Sequence, residues 1–462
     1  MKLPPVTAST VPNLRPAYWF ALLNALSSQV ILSGPMVLFA KTLGASATIL
    51  GLVAGMMPLL TILQIPAANF VDRIGYRRFV IGGWSLRIAF IFLMALIPLS
   101  ERFLNPNAQL VLLLIFLFLF NLSRGISACA WLPWITGLVP AASRGRYLAT
   151  DQACSNGASF ICFLVIAALL GVDRWLPNIA QSWSFILTFL FSGIMGVLSL
   201  IFLKQIPDIP VPSEESGNRK PVPWMHLAAH PPFRRLLELD AIWSLAYGGL
   251  ATFVVAFLKA GSIWDDSSIL ALMSVQFLGG LGALWFGGRR LDQHGSKPTF
   301  GFIMLAGLVV AVGWFVVSAK VVSTGPALLI LLILPLGLLN ALFTAANNHL
   351  AMTIVPRMGR NHFFALYSVV WQVTLGLSPI AWGLLIDSVG DRSIHRLGID
   401  WNRYSLFFGL VSFTFVWAFV QSRRLEEPKA TGVTTLLHDL FLHEPRRALV
   451  RLLGRSGGGL SQ

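Results

Sequence analysis

The sequence is poor in charged residues, in cysteine and in recognisable catalytic motifs. Asp, Glu, Lys and Arg make up 11% of the 462 residues, less than half of the share of about 25% in soluble domains. With 56% apolar residues and a mean hydropathy of +0.73, this shortage excludes a soluble globular protein, a disordered chain and a coiled coil. The three cysteines lie in apolar stretches, so neither disulfides nor a metal site is indicated, and we expect no cofactor. No Walker loop is present, which argues against ATP-driven transport.

Apolar runs long enough to cross a bilayer recur along the chain. A transmembrane helix needs about 20 largely apolar residues, whereas transmembrane β-strands alternate over about 10 residues. The continuous runs therefore predict an all-α membrane protein. Twelve spans are predicted, at residues 17–40, 47–69, 79–99, 109–138, 148–171, 182–203, 237–258, 268–287, 299–319, 326–355, 363–386 and 404–422.

The net charge of +15 carries topological information. An even number of spans puts both termini on one side. Of the 34 Lys and Arg residues, 24 lie in the termini and in the loops after spans 2, 4, 6, 8 and 10, and eight lie in the opposite loops. By the positive-inside rule both termini are cytoplasmic. We therefore expect a monomeric multi-pass protein of the plasma membrane, in bacteria the inner membrane, with anionic lipid as its cytoplasmic partner and no nucleic acid.

A polar, proline-rich segment divides the spans six and six. The predicted domains are an N-terminal six-helix bundle at 1–203, a cytoplasmic linker at 204–236, a C-terminal six-helix bundle at 237–424 and a tail at 425–462. Leucines in the tail recur at helical spacing between arginines. This pattern predicts a basic amphipathic segment on the cytoplasmic leaflet, and the alternative is a loosely ordered soluble tail.

Two loops in corresponding positions share one pattern. The loop after span 2 contains Asp72, Gly75 and Arg77, and the loop after span 8 contains Asp292, Gly295 and Lys297. In each loop a small residue precedes the Asp by four positions, the Gly follows it by three and the basic residue by five. The recurrence indicates an internal repeat, and the glycines permit a turn with positive φ.

The paired loops resemble the signature of the major facilitator superfamily, with Ala68 where the family usually has Gly. The resemblance implies twelve transmembrane helices in two pseudo-symmetric six-helix bundles. It also implies that the loop latches the two halves in the outward-open state. The residues that would take part in this gating are Asp72, Arg73, Gly75, Arg77, Arg78, Asp292, Gly295 and Lys297. The alternative is that the basic residues only hold the loop inside.

Arg124 lies near the middle of span 4. An Arg inside the membrane costs at least about 2.5 kcal/mol, so it requires a partner, a water-filled cavity or a ligand. Its position resembles that of the embedded Arg of a second family motif, with Ala128 where the family usually has Gly. We expect Arg124 to bind a substrate anion or to take part in coupling transport to an ion. The alternative is a structural hydrogen bond. Arg87 in span 3 is expected to snorkel or to pair with another helix.

Further polar and aromatic residues within the spans are candidates for binding the solute. They are Asn24, Ser28, Trp243, Tyr247, Asn340, Asn347, Asn348 and Gln372. Each of them could instead hold helices together. His349 is either a proton relay or an interhelical hydrogen-bonding group.

The resemblance implies a transporter that works by alternating access, and these residues indicate a small polar organic solute, sugar-like or an organic anion. No Asp or Glu lies near the middle of any span, and Asp240 lies near the cytoplasmic start of span 7. Coupling to protons through a carboxylate is thereby weakened, and facilitated diffusion, Na⁺ coupling or proton coupling through His349 stay open. The alternatives are an efflux antiporter of drugs or metabolites and, further off, a membrane-embedded enzyme or receptor on the same fold. We expect no enzymatic activity.

Overall fold

The computed structural model describes residues 14–139, 144–172, 181–209, 231–261, 263–354, 360–396 and 398–427. Within these ranges the chain forms sixteen α-helices. They are Arg15–Leu32, Gly34–Thr42, Ala47–Leu60, Gln64–Ile74, Tyr76–Ala95, Pro106–Ala128, Trp131–Leu138, Arg144–Leu170, Gln181–Leu203, Pro231–Tyr247, Leu250–Ala260, Asp266–His294, Ser296–Ser318, Pro326–Ile354, Arg360–Val389 and Arg403–Arg423. Two 3₁₀ turns, Thr61–Leu63 and Pro98–Arg102, and a short antiparallel hairpin of β1 (Ile394–Arg396) and β2 (Ile399–Trp401) complete the described elements.

Twelve helical stretches of the described chain are long and apolar enough to cross a membrane, which confirms the predicted number of spans. They are Arg15–Thr42, Ala47–Val71, Tyr76–Arg102, Pro106–Ile135, Tyr147–Leu170, Ser182–Leu203, Pro231–Ala260, Asp266–Leu284, Ser296–Ser318, Pro326–Ala351, Leu366–Val389 and Arg403–Arg423. We number them as spans 1 to 12.

Span 7 differs most from its prediction, because it begins at Pro231 and not at 237. Its first two turns are amphipathic, with Phe233 and Leu236 buried and Arg234 exposed. Mean hydropathy includes the charged face of these two turns, so a prediction based on it begins the span too late.

The side of the membrane on which the termini lie stays a prediction.

The described residues form two compact units. Unit 1 is built from the described parts of Met1–Arg219, together with Gly249–Phe277 and Leu375–Ser388. Unit 2 is built from the described parts of Lys220–Gly248, Leu278–Thr374 and Val389–Gln462. The predicted linker and tail fall largely on residues 210–230 and 428–462, which lie outside the described residues, and the predicted domain boundaries stay predictions.

In unit 1, the backbones of spans 2 and 11 are in close contact. A Cβ added at Gly51 would lie 2.2 Å from the carbonyl oxygen of Pro379, and one added at Gly55 would lie 2.3 Å from that of Gly376. Small residues allow such approach between membrane helices. At the end of this pair, the Asp387 carboxylate accepts the backbone N–H groups of Ala47 (2.9 Å) and Thr48 (2.8 Å), which satisfies donors at the start of span 2.

In unit 2, a capping box sets the start of span 12. The Asn402 side chain accepts the backbone N–H groups of Tyr404 (2.9 Å) and Ser405 (3.0 Å), and the Ser405 hydroxyl accepts the N–H of Asn402 (2.8 Å). This reciprocal pattern satisfies the free donors of the first turn. The helix that follows packs along span 9 and span 7.

Candidate functional site

The glycines of the repeated loops adopt the backbone that the sequence predicts. Gly75 has φ +86° and Gly295 has φ +85°, and a helix begins at the next residue in each case. Only glycine takes such a conformation without steric cost. The prediction of two equivalent turns is therefore confirmed.

The first loop is held by a contact within unit 1. The Arg77 guanidinium donates a hydrogen bond to the carbonyl oxygen of Lys204, at the end of span 6. Arg73 and Arg78 are exposed, and the side chain of Asp72 lies outside the described residues. The gating role of these residues stays a prediction.

The second loop is held by a residue that the motif does not contain. The Glu427 carboxylate, just after span 12, accepts the backbone N–H groups of Ser296 (2.9 Å) and Lys297 (2.7 Å) at the start of span 9. His349 Nδ1 lies 2.8 Å from the Ser296 hydroxyl. This contact confirms the interhelical hydrogen bond that was one alternative for His349, while a proton relay stays untested. The side chain of Asp292 lies outside the described residues.

Arg87 is a buried cation bound to span 1. Its side chain is 2% exposed, and its guanidinium donates to Oδ1 of Asn24, which also accepts the indole N–H of Trp84 at 3.2 Å. The guanidinium carbon lies 4.5 Å from the ring centroid of Trp84 and 5.9 Å from that of Phe120. The predicted pairing of Arg87 with another helix is confirmed, and Asn24 is the partner.

Arg124 lies on span 4, next to a close contact between two helices. A Cβ at its neighbour Gly125 would lie 2.4 Å from the carbonyl oxygen of Leu60, so span 4 lies directly against span 2 at this level. Arg124 itself is half-buried, and its guanidinium has no hydrogen-bond partner among the described residues. It is close enough to Arg87 for the two positive charges to interact.

Unit 1 thus contains two membrane-embedded guanidinium groups near each other. No Asp or Glu side chain among the described residues contacts either of them. Positive charge in a membrane segment is expensive unless a counter-charge or water compensates it. An arrangement of this kind is suited to binding an anion, since guanidinium groups bind carboxylates and phosphates with high geometric specificity.

The aromatic pair predicted on span 7 is engaged in packing. Trp243 is 1% exposed and stacks with Tyr247 and Phe343, with ring centroids 5.0 Å and 4.1 Å away and nearly parallel planes. The Tyr247 hydroxyl donates to the carbonyl oxygen of Leu336 at 3.1 Å. The Trp243 ring is therefore buried among aromatic side chains in this conformation.

The predicted amides are in contrasting environments. Asn347 is fully buried and donates through Nδ2 to Oδ1 of Asp240 at 2.6 Å, whereas Asn340 and Asn348 are exposed. Ser28 and Gln372 are half-buried, with no hydrogen-bond partner for either side chain among the described residues. Solute contact by these residues stays a prediction.

Sequence reasoning missed the burial of Asp240. It considered the residue peripheral because it lies near the predicted start of span 7, yet its side chain is 0% exposed. The amphipathic start of the span, with Leu236, Leu239 and Trp243 on the buried side, was the available signal. Asp240 precedes Trp243 by three positions and so shares its face of the helix.

The comparisons with known proteins agree with this architecture. The sequence matches the family description "Major Facilitator Superfamily" over residues 18–262 and 258–455. The chain belongs to the Major Facilitator Superfamily. No curated protein is a significant match in sequence.

Among solved structures, similar folds include members that differ widely from this chain in sequence. Nucleoside transporter NupG is 12% identical, with a TM-score of 0.63 over 89% of this chain and 98% of that one, and a variant of it gives a TM-score of 0.67 over 89% and 99%. A bacterial homologue of the human lysosomal transporter Spinster, in an inward-facing and occupied conformation, is 16% identical, with a TM-score of 0.59 over 89% and 95%. At such identities the likeness shows the fold alone.

Membership of the Major Facilitator Superfamily decides between the broad classes that the sequence left open. The chain is a multi-pass membrane transporter with twelve transmembrane helices, and the family implies a transporter and not an enzyme. Within this superfamily protein, two polar groups inside spans most need a functional explanation: Arg124, which has no partner among the described residues, and the buried pair of Asp240 and Asn347.

Proposed function

We propose that this transporter moves a small polar organic solute that carries a negatively charged group, by alternating access, across the plasma membrane. The observation that carries the proposal is the Arg124 guanidinium, which is embedded in span 4, is near Arg87 and has no described partner. An anionic group of the solute would supply the missing counter-charge. The bacterial inner membrane and cytoplasmic termini are part of the same proposal.

Arg87 and Arg124 have different roles in the proposed binding of the anionic solute. Arg87 is already bound by Asn24 and by the Trp84 ring, so it contributes positive potential from a fixed position. Arg124 has its hydrogen-bonding groups free among the described residues, so it is the group that contacts the solute. Ser28, half-buried and unpaired in the described chain, would bind a polar group of the same solute.

The fold likeness to a nucleoside transporter supports a solute of modest size with hydrogen-bonding groups. It does not favour a neutral solute over an anionic one. The choice of an anion rests on the embedded guanidinium groups alone, since a neutral sugar would leave both charges uncompensated.

The test is a thermal-shift screen on purified protein with dicarboxylates, sugar phosphates, sulfonates, neutral sugars and nucleosides. We expect stabilisation by members of the anionic classes. For Arg124→Ala the same compounds should bind at least about tenfold more weakly, because a hydrogen bond to a charged group contributes about 1.5–3 kcal/mol. The matched control is Arg102→Ala, which removes an exposed arginine and should leave the shifts unchanged.

Two results would contradict the proposal. Equal binding of every anionic compound to the wild type and to Arg124→Ala would remove the role of Arg124. Failure of proteoliposomes to take up any compound that gives a shift would argue against transport of that class of solute.

A further inference from the structure

Asp240 is a carboxylic acid buried inside a membrane span. It lies in span 7, Pro231–Ala260, and its side chain is 0% exposed. Its described hydrogen bond is the one that Oδ1 accepts from Nδ2 of Asn347, 2.6 Å away on span 10. Asn347 is also 0% exposed, so the two side chains form a pair shielded from the surroundings.

Three oxygen atoms around this pair lack hydrogen-bond partners among the described residues. They are Oδ2 of Asp240, Oδ1 of Asn347 and the hydroxyl of Tyr367. Tyr367, on span 11, is 5% exposed and interacts electrostatically with Asp240. An ionised Asp240 would present acceptors only, so its Oδ2 and the Asn347 Oδ1 would have no proton between them.

No cationic side chain of the described residues pairs with Asp240. The ionisable groups that the structure describes near Asp240, on span 7 and on the elements packed against it, have other contacts. Arg234 contacts Glu238, Glu238 also contacts Gln421, and Arg235 contacts Glu426. His349 contacts Ser296 and Glu427, and Arg423 lies over the Phe419 ring. Another deeply buried acid of the described chain, Asp266, is bound by Lys259. Among the described residues, Asp240 is therefore buried without the counter-charge that Asp266 has.

A buried carboxylate without a cation is strongly disfavoured, and such a group is neutralised instead. We propose that Asp240, supported by Asn347 and Tyr367, is a proton-binding site of this transporter. The proton adds to Oδ2, an O–H bond forms, and the carboxylate becomes a neutral acid. Release is the reverse step, with the proton returned to water, and nothing is oxidised or reduced.

The site draws one group from each of spans 7, 10 and 11. A conformational change that separates any of these spans would admit water to the carboxyl and lower its affinity for the proton. Proton occupancy is thus linked to conformation, and this link to transport rests on the proposed function. Protonation itself does not, because it requires no solute.

The test is infrared difference spectroscopy of the full-length protein in lipid nanodiscs, titrated from mildly acidic to alkaline pH without added solute. We expect a carbonyl stretching band of a protonated carboxylic acid that persists at neutral pH. Asp240→Asn should lose this band, and Asp240→Glu should keep it at a shifted frequency. The matched control is Asp266→Asn, which removes a buried acid that already has a cation and should leave the band intact.

Each other outcome overturns the proposal. A neutral-pH spectrum without the band, or a band that Asp240→Asn retains, shows that Asp240 does not hold the proton. A melting temperature that rises with NaCl but not with choline chloride, and does so only when Asp240 is present, assigns the site to Na⁺. If Asp240→Asn does not fold, the frequency shift in Asp240→Glu decides. Loss of anion binding in Arg124→Ala is a separate measurement, so either proposal can fail alone.

Discussion

Each compact unit contains a buried ionisable side chain that an asparagine binds, a base in unit 1 and an acid in unit 2. In unit 1, Oδ1 of Asn24 accepts a hydrogen bond from Arg87. In unit 2, Nδ2 of Asn347 donates one to Asp240. An amide can serve either charge because it has both a donor and an acceptor, but it neutralises neither. We therefore propose that a mobile group compensates the charge in each unit, an anionic solute in unit 1 and a proton in unit 2.

Converting the unit 2 amide to an acid should have the largest effect. Asn347→Asp removes the amide donor to Asp240 and places a second buried carboxyl beside it, so the two acids must bind a further proton or bury a charge without a counter-ion. We expect a loss of stability of about 3 kcal/mol, the upper end of the range for a buried hydrogen-bonding group left unsatisfied, seen as a lower melting temperature by fluorescence-detected gel filtration of heated samples. Asn348→Asp, at the exposed neighbour, is the control. Equal effects at the two positions would contradict the buried pair.

The same change in unit 1 should have the opposite sign. Asn24→Asp gives Arg87 a counter-ion, and a hydrogen bond between charged groups contributes about 1.5–3 kcal/mol. We expect a higher melting temperature together with weaker binding of anionic compounds, because the internal carboxylate competes with the solute. A lower melting temperature would show that the positive charge of unit 1 is already compensated.

The repeated glycines allow a finer comparison of the units. An L-residue in the left-handed region costs about 1–2 kcal/mol, so Gly75→Ala and Gly295→Ala should both lower stability. At Gly295 the new Cβ would also lie 3.0 Å from Glu427 Oε2, whereas at Gly75 it meets nothing within 4 Å. We expect the larger fall in the thermal midpoint for Gly295→Ala. A larger fall for Gly75→Ala would contradict the described role of Glu427.

The Glu427 carboxylate contacts the second loop, so the stability of that loop should depend on a negative charge. Glu427→Gln keeps an oxygen for the N–H groups of Ser296 and Lys297 but loses the negative charge at the start of the helix, a contribution of about 0.3–1 kcal/mol. We expect a small fall in the thermal midpoint, reduced at high salt, and a greater fall for Glu427→Ala. Equal values for the two variants would assign the effect to charge alone.

The smallest effect concerns Asp400, a half-buried acid of unit 2 that, unlike Asp240, has cationic partners among the described residues. Hydrogen bonds from Lys320 and His395 hold the pKa of Asp400 below its usual value of 3.8. The folded state binds the Asp400 proton less tightly than the unfolded state, so this contribution to stability is present above pH 3.8 and is lost as the pH falls through the lowered value. Asp400→Asn should lower the melting temperature slightly at neutral pH, and the difference should vanish in acid. A difference that persists in acid would exclude the ionic contribution.

Much of the fold was predictable because it depends on local properties of the chain. Twelve apolar runs gave twelve spans, and the repeated loops placed Gly75 and Gly295 at positive φ. The start of span 7 was not predictable from hydropathy, since its charged face conceals the buried one. The candidate site was harder to predict from the sequence, because the partners of Arg87, Asp240 and Ser296 lie 63, 107 and 131 residues away along the chain.

The class of the protein, the number of its spans and the presence of two arginines inside them could be predicted from the sequence alone, because hydrophobic length and the cost of intramembrane charge act residue by residue. Which of these charges are satisfied depended on the tertiary structure. It gave Arg87 an amide and an aromatic ring, left Arg124 without a described partner, and enclosed Asp240 with one asparagine. The reason is physical: whether a buried charge is compensated depends on side chains that other spans bring to it.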